Sequence, residues 1–222
     1  MFPARLVKAT VVDIRKGGTR YPRTVVADAN VLYFVYYDFT ALDSARVTLP
    51  RHYQLQQYPK WWKKAKEQGV TFCSSLAILS EFVQLVERME LHCLWETDPQ
   101  RPELDSENPG QAFSPKYLKT LRYHYHDHLS RVRADVMTVL RSVRKDVELL
   151  PRVREDPDPF DATTQAWLSS IAEIGDAAMV AEARRAGPVH VVSDDADLLS
   201  FDGITLYTAN QRAVDAAGQS KP

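Results

Sequence analysis

Three observations predict an α/β fold with a mainly parallel central sheet covered by helices. Four β-branched apolar runs recur, at 24–27, 70–73, 189–193 and 204–207. Stretches with apolar residues at helical spacing separate them. The runs are nearly continuous rather than alternating, as parallel strands buried on both faces require. With 222 residues and 45% hydrophobic content the chain can bury a full core, and one enlarged domain is expected.

Taken in order, residues 5–14 read as a strand followed by Gly17 and Gly18, an added edge strand or an arm occupying the first 22 residues. The run Thr24-Val25-Val26-Ala27 then breaks into Asp28-Ala29-Asn30 and an apolar helical stretch over 30–40. That is strand, sharp turn, helix, with Asn30 as the expected cap and Asp28 at the carboxyl end of the strand. Residues 41–60, with Pro50 and Pro59, read as loop, and Trp61-Trp62-Lys63-Lys64 starts a short basic helix before the strand at 70–73. Ser74 or Ser75 caps the next helix. Its Leu76, Leu79, Phe82, Val83, Val86 and Met89 recur at inward-facing spacing, and Glu81 borders that face.

Prolines at 99, 102, 109 and 115 mark a loop over 96–115. One long helix or a helical pair follows over 115–150 and ends at Pro151. Pro157 and Pro159 mark a linker, helical spacing resumes over 161–173 through Ala166, Leu168 and Ile171, and Gly175 breaks it before Asp176 at the next helix start. A carboxylate there is also what a cap or a helix dipole favours, so capping is the alternative role for Asp176. After the last strand the polar residues 211–222 read as a mobile tail.

The chemistry-bearing residues are carboxylates. Val191-Val192-Ser193 runs into Asp194, Asp195 and Asp197, so three aspartates fall within four positions at a strand end. Two unit charges about 4 Å apart repel by roughly 4 kcal/mol at an effective dielectric near 20, which calls for protons or a divalent cation. For oxygen ligands the natural cation is Mg²⁺ or Mn²⁺.

Four stretches, in order, carry a resemblance to the PIN-domain family: Asp28-Ala29-Asn30, the Ser75 to Phe82 segment around Glu81, the Asp176 to Ala183 helix, and Ser193-Asp194-Asp195-Ala196-Asp197-Leu198. The resemblance implies a PIN-like three-layer α/β/α domain over 23–210, enlarged by a helical insertion at about 92–160. It also implies a catalytic, metal-binding quartet of Asp28, Glu81, Asp176 and Asp195 with Asp197 as auxiliary metal ligand. Asn30 and Ser193 are expected to support these residues, and Mg²⁺ or Mn²⁺ is the expected cofactor. The implied activity is endoribonuclease, with RNA as substrate, as in toxins of bacterial toxin-antitoxin pairs. An antitoxin or other protein partner and a homo-oligomer are implied with it.

Elsewhere the signals are weaker. Residues 116–154 hold ten Lys or Arg against four Asp or Glu, so Lys116, Lys119, Arg122, Arg131 and Arg133 form a candidate phosphate-binding stripe, with Tyr117, Tyr123 and Tyr125 placed to stack on unpaired bases. A solvated helix face is the alternative. His124 and His128 share one face of the expected helix and form a second candidate metal pair. A formal charge of −1 excludes global attraction to nucleic acid, so binding must use a local patch. Two cysteines, Cys73 and Cys93, exclude a disulfide framework and read as packed thiols. No window is apolar enough to span a membrane and no signal core is present, so a cytoplasmic location is expected.

Two other classes compete. One is a catalytically silent PIN-like scaffold binding RNA or protein. The other is a phosphohydrolase of the haloacid-dehalogenase type, which wants Asp-x-Asp after the first strand, where this chain has Asn30 as the second residue.

Overall fold

The computed structural model describes residues 6–18, 20–39, 50–101, 115–151, 159–187 and 189–219. Six strands form one sheet: β1 (Thr10–Asp13), β2 (Thr24–Ala27), β3 (Thr71–Ser74), β4 (Val147–Leu149), β5 (His190–Val192) and β6 (Thr205–Thr208). Their order is β1-β6-β5-β2-β3-β4, and every pairing is parallel. Among the described residues eight helices flank it in a three-layer α/β/α arrangement: α1 (Ala29–Tyr36), α2 (His52–Glu67), α3 (Leu76–Thr97), α4 (Pro115–His124), α5 (Leu129–Asp146), α6 (Pro159–Leu168), α7 (Ile174–Ala186) and α8 (Gln211–Gln219). The α/β class expected from the apolar runs therefore holds, and the sheet is wholly rather than mainly parallel among the described residues.

The central strands are buried because helices cover both faces: Val25, Val26, Val191, Val192 and Leu206 are all 1% exposed or less. From β2 the chain moves outward through β3 to β4; β5 returns to the other side of β2, and β6 follows beyond it. The connections thus diverge between β2 and β5. In open parallel sheets the crevice at the carboxyl ends of such a strand pair is where ligands bind.

Several local expectations are corrected. Residues 52–60 are helical, not loop: α2 runs through Pro59, whose missing N–H and ring clash cost about 3 kcal/mol in a helix interior. Burial of Tyr58, Trp61, Trp62 and Ala65 offsets that cost, and Trp62 stacks on Phe72 with ring centroids 3.6 Å apart. Asp28, not Asn30, caps α1. On α3, Leu79, Phe82, Val86 and Met89 point inward, but Leu76 is 61% exposed because it is the first helical residue, ahead of the packed turns. Similarly Leu168 and Ile171 are exposed at the end of α6 and just past it, leaving Ala166 as the inward residue of that set.

The stretch over 115–150 is a helical pair broken by a 3-10 turn at His126–His128, and it ends at Asp146, before Pro151. Residues 147–149 are β4, an edge strand that the sequence reading missed. Its Glu148 and Leu149 are exposed, so its composition lacks the buried-strand pattern. Residues 211–219, read as tail, form α8, which buries Ala213 and Ala216 beside β1. Of the loop expected at 96–115, residues 96–97 belong to α3 and Pro115 begins α4, while 102–114 lie outside the described residues; of the expected linker, Pro157 lies outside them and Pro159 begins α6.

Candidate metal centre at the diverging strand ends

The β2 run ends in Asp28, and that residue's backbone N–H still donates to Val192 O of β5 at 3.1 Å. Parallel pairing of Val26 with Val191 and Ala27 with Val192 therefore carries Asp28 and Ser193 to the same sheet edge. Asp28 is 5% exposed. Its Oδ1 accepts from the Ala29 N–H at 2.6 Å, which caps α1, and its Oδ2 accepts from Asn30 Nδ2 at 2.8 Å and from Ser193 Oγ at 2.5 Å. Ser193 Oγ in turn accepts from the Asp195 N–H at 2.9 Å, so one hydroxyl ties the two aspartates' segments together. Asp195 Oδ1 accepts from the Asp197 N–H at 2.8 Å, winding the short 3-10 turn at Asp197–Ser200.

Two helices lean acids over this edge. Ser75 caps α3 by accepting from the Ile78 N–H, and Glu81 follows on the second turn, open to solvent. Asp176 stands in the first turn of α7, where the helix dipole favours a negative charge, after Glu173 at the cap position. Burial is the main cause that pushes the Asp28 carboxyl from 3.8 up to about 7, helped by the nearby charges of Glu81 and Asp195 and opposed by the Ser193 and Ala29 hydrogen bonds. Asp176 rises from 3.8 to about 7 as well: burial first, then Asp28, Asp195, Glu81 and Glu173. Glu81 is raised by partial burial, by Glu173 and by Asp195, while Arg88 opposes the rise. Asp197 is raised by burial and then by Asp195 and Glu173.

Asp28, Glu81, Asp176 and Asp197 therefore each feel the charge of Asp195, and the last three also that of Glu173, which the sequence reading missed. Its available signal was an acid at the cap position three residues before Asp176. Asp194 takes no part in this neighbourhood. It turns to α2, where Tyr58 Oη donates to Oδ1 at 2.7 Å, Tyr53 Oη to Oδ2 at 2.9 Å, and Gln54 Nε2 to Oδ2 at 2.5 Å. Asn210 Nδ2 donates to the Asp194 carbonyl at 2.7 Å, fastening the same turn to the start of α8.

Three features of the donor set bear on a divalent cation. Hard oxygen ligands predominate, as Mg²⁺ or Mn²⁺ requires. Arg88 sets a positive charge against Glu81, while among the described residues no Lys, Arg or His forms an ion pair with Asp28, Asp176, Asp195 or Asp197. Asn30 Oδ1 is buried beside Asp28 with no hydrogen-bond donor, an orphaned acceptor in the same place. In charge and ligand type the residues fit. In spacing they do not: among the described residues no three His, Cys, Asp or Glu side chains stand close enough together to hold a metal ion.

The other expected sites fare differently. Arg122 donates from Nε to Glu87 Oε1 at 3.1 Å and from its terminal nitrogen to Oε2, and Arg133 Nε lies 3.7 Å from the same carboxylate. Both are thus occupied structurally. Lys119 sits 5.9 Å over the Tyr123 ring, Arg131 is exposed, and the Lys116 side chain lies outside the described residues. Tyr117 and Tyr125 are 7% and 6% exposed, which removes them as stacking platforms; Tyr123 remains exposed. His124 and His128 do not share a helix face, because α4 ends at His124 and the 3-10 turn intervenes. His124 Nε2 instead lies 3.4 Å from Asp98 Oδ2. Cys73 and Cys93 are free thiols. No helix among the described residues is long and apolar enough to cross a membrane.

Comparison with family models, curated proteins and solved structures gives no match. What the site does must therefore be argued from its own residues.

Proposed function

We propose that the chain is a metal-dependent nuclease of the PIN-domain kind, hydrolysing RNA phosphodiester bonds. The observation that carries the reading is the convergence of carboxylates from four separate segments at the diverging strand ends, where the charge of Arg88 offsets only the Glu81 part. Folding that concentrates like charge is costly, and a ligand that reverses it is the simplest reason to keep the arrangement. Asp28, Asp176 and Asp195 would hold Mg²⁺ or Mn²⁺, with Glu81 and Asp197 at the rim. When bound, such an ion supplies Lewis-acid polarisation of a phosphoryl oxygen and lowers the pKa of a bound water.

The chain's own residues prepare that site. Ser193 and Asn30 both donate to Asp28 Oδ2, which fixes the carboxylate's orientation before any ligand arrives. Ser193 also positions the Asp195 backbone, so the two aspartates move as one unit. The preference for RNA comes from the family resemblance, and so does a toxin role with an antitoxin partner.

Labelled single-stranded RNA, single-stranded DNA and duplexes, incubated with Mg²⁺ or Mn²⁺, test the reading. Cleavage of the RNA is expected, with a loss of 100-fold or more in Asp28→Asn and Asp195→Asn, on the order found for groups that stabilise developing charge. Undiminished cleavage in either variant refutes the assignment. The open spacing of the carboxylates favours one second reading, a catalytically silent scaffold. RNA that is bound but never cut, even with Mn²⁺ present, would identify it.

A further inference from the structure

A small cavity of about 130 Å³ lies at the turn that follows β1, between that turn and α2. Its wall contains Arg15, Lys16, Lys60 and Lys64 and no Asp or Glu. The whole chain has 28 Lys and Arg against 29 Asp and Glu, so four cations without an acid is a local concentration that composition does not explain. Lys60 and Lys64 stand one helical turn apart on α2, both exposed, and like charges at that spacing disfavour the helix. Neither forms an ion pair among the described residues. Opposite them Arg15 is anchored by Asp13, with Nε donating to Oδ1 and the terminal nitrogen to Oδ2, each at 2.7 Å, and by Gln211 of α8. One cation is thus held in place and two stand exposed, while Asp13 offsets only part of the charge.

A second, independent feature concerns Trp61. It also lines the cavity, is 2% exposed, and carries a buried indole N–H with no acceptor. A buried donor left unpaired costs about 1–3 kcal/mol, a local cost that the fold retains beside this cavity. Gly18 turns the backbone through φ 77° at the mouth, and a side chain added at Gly17 would meet nothing within 4 Å, so the turn leaves open space.

We propose that this cavity binds a phosphate group, with Lys60, Lys64 and Arg15 as its cationic ligands. The volume of about 130 Å³ is ample for one tetrahedral oxyanion. The shared chemistry has two sources, the backbone of a nucleic-acid strand or a small free phosphate. The strand source rests on the nuclease reading; the pocket itself does not. Because all strands are parallel, β1 ends at the same sheet edge as β2 and β5, two strands from β5 and three from β2. At about 4.8 Å per strand the cavity stands on the order of 10–15 Å to the side of the acidic centre. A stacked strand at about 3.4 Å per nucleotide spans that gap in roughly four nucleotides.

The test uses the full chain in chelator, so that no cleavage occurs, with Lys60→Ala/Lys64→Ala as the variant and Lys63→Ala/Lys145→Ala as a control of equal charge loss. Both lysines of the variant are exposed, and the fold should survive their truncation. Millimolar inorganic phosphate, against chloride at equal ionic strength, is expected to raise the melting temperature of the wild type and the control but not of the variant. A single-stranded octanucleotide followed by fluorescence anisotropy should bind the variant about 10-fold more weakly, with a salt slope smaller by about 0.7 per lost phosphate contact. Lysine-dependent binding of phosphate together with the octanucleotide supports the pocket with a strand as its source. Lysine-dependent binding of phosphate alone supports the pocket with a small phosphate as its source. An equal phosphate response in wild type and variant, or no phosphate response and unchanged oligonucleotide affinity, overturns the proposal. Cleavage lost in Asp28→Asn and retained in the lysine variant would concern the acidic centre only, so failure of one reading is distinguishable from failure of the other.

Discussion

Replacing Asp28 by Asn should stabilise the metal-free protein at mildly alkaline pH, although it should abolish activity. The folded carboxyl is raised from 3.8 to about 7, chiefly by burial. Its folded value exceeds its unfolded value, so its contribution to stability is fully present below about pH 4 and is lost as the pH rises through about 7. At about pH 8 the ionised group costs roughly 4 kcal/mol, at about 1.36 kcal/mol per tenfold. Asn keeps an oxygen for the Ala29 N–H, and its amide can donate to Asn30 Oδ1, which now lacks a donor, once the Asn30 amide turns over. The loss is the charge-assisted bond that the Ser193 hydroxyl donates to Oδ2, which an amide nitrogen cannot accept, about 2 kcal/mol. A net gain of about 2 kcal/mol remains, or about 4–8 °C in melting temperature for a chain of this size. Thermal unfolding in chelator, scanned from about pH 4.5 to 8, measures it. The gain should appear at the alkaline end and vanish at the acid end. A variant that is less stable than wild type at about pH 8, or equally more stable at every pH, refutes the electrostatic account.

Other outcomes follow from the same contacts. Ser193→Ala removes the hydroxyl that bridges Asp28 and Asp195, so metal-dependent cleavage should fall about 10- to 100-fold, on the scale of outer-shell partners, while circular dichroism stays native; unchanged activity would remove Ser193 from the site. Tyr58→Phe leaves the Ala209 N–H without its acceptor and takes one donor from Asp194, which should cost about 1–3 kcal/mol in denaturant unfolding and slow cleavage by loosening the adjacent turn. Trp62→Ala empties the stack on Phe72 in the core and should cost about 3–5 kcal/mol; a loss below about 1 kcal/mol would place Trp62 outside the core. Substituting Arg122 by Ala strips the buried Glu87 of its main partner and should destabilise by more than an exposed ion pair would, about 2 kcal/mol or more, with little effect on RNA affinity.

The sheet was readable because its four inner strands are short, rich in β-branched residues and largely buried. β4 escaped for the opposite reason: an edge strand with Glu148 and Leu149 exposed carries no burial signature. Pro59 misled because a local rule about backbone hydrogen bonding was set against three large aromatic contacts visible only in three dimensions. In the acidic centre, Asp28 and Asp195 could be placed at neighbouring strand ends from the apolar runs alone. The separate fate of Asp194 could not, since it depends on Tyr53, Gln54 and Tyr58 arriving from a helix about 140 residues earlier in the chain. The basic stripe at 116–154 shows the limit of counting charges: two of its arginines serve Glu87, a partner on α3 that composition does not reveal. The cavity beside β1 was hidden likewise, because Arg15 and Lys60 are remote in sequence.

Mn²⁺ binding by the wild type and by single Asn variants of Asp28, Asp176 and Asp195, measured calorimetrically at about pH 7.5, tests the central claim most directly. The account predicts that the wild type binds the ion and that each of the three substitutions weakens binding at least 10-fold, because acids from separate segments share one site. Equal Mn²⁺ affinity in all four proteins, or none in the wild type, would contradict it.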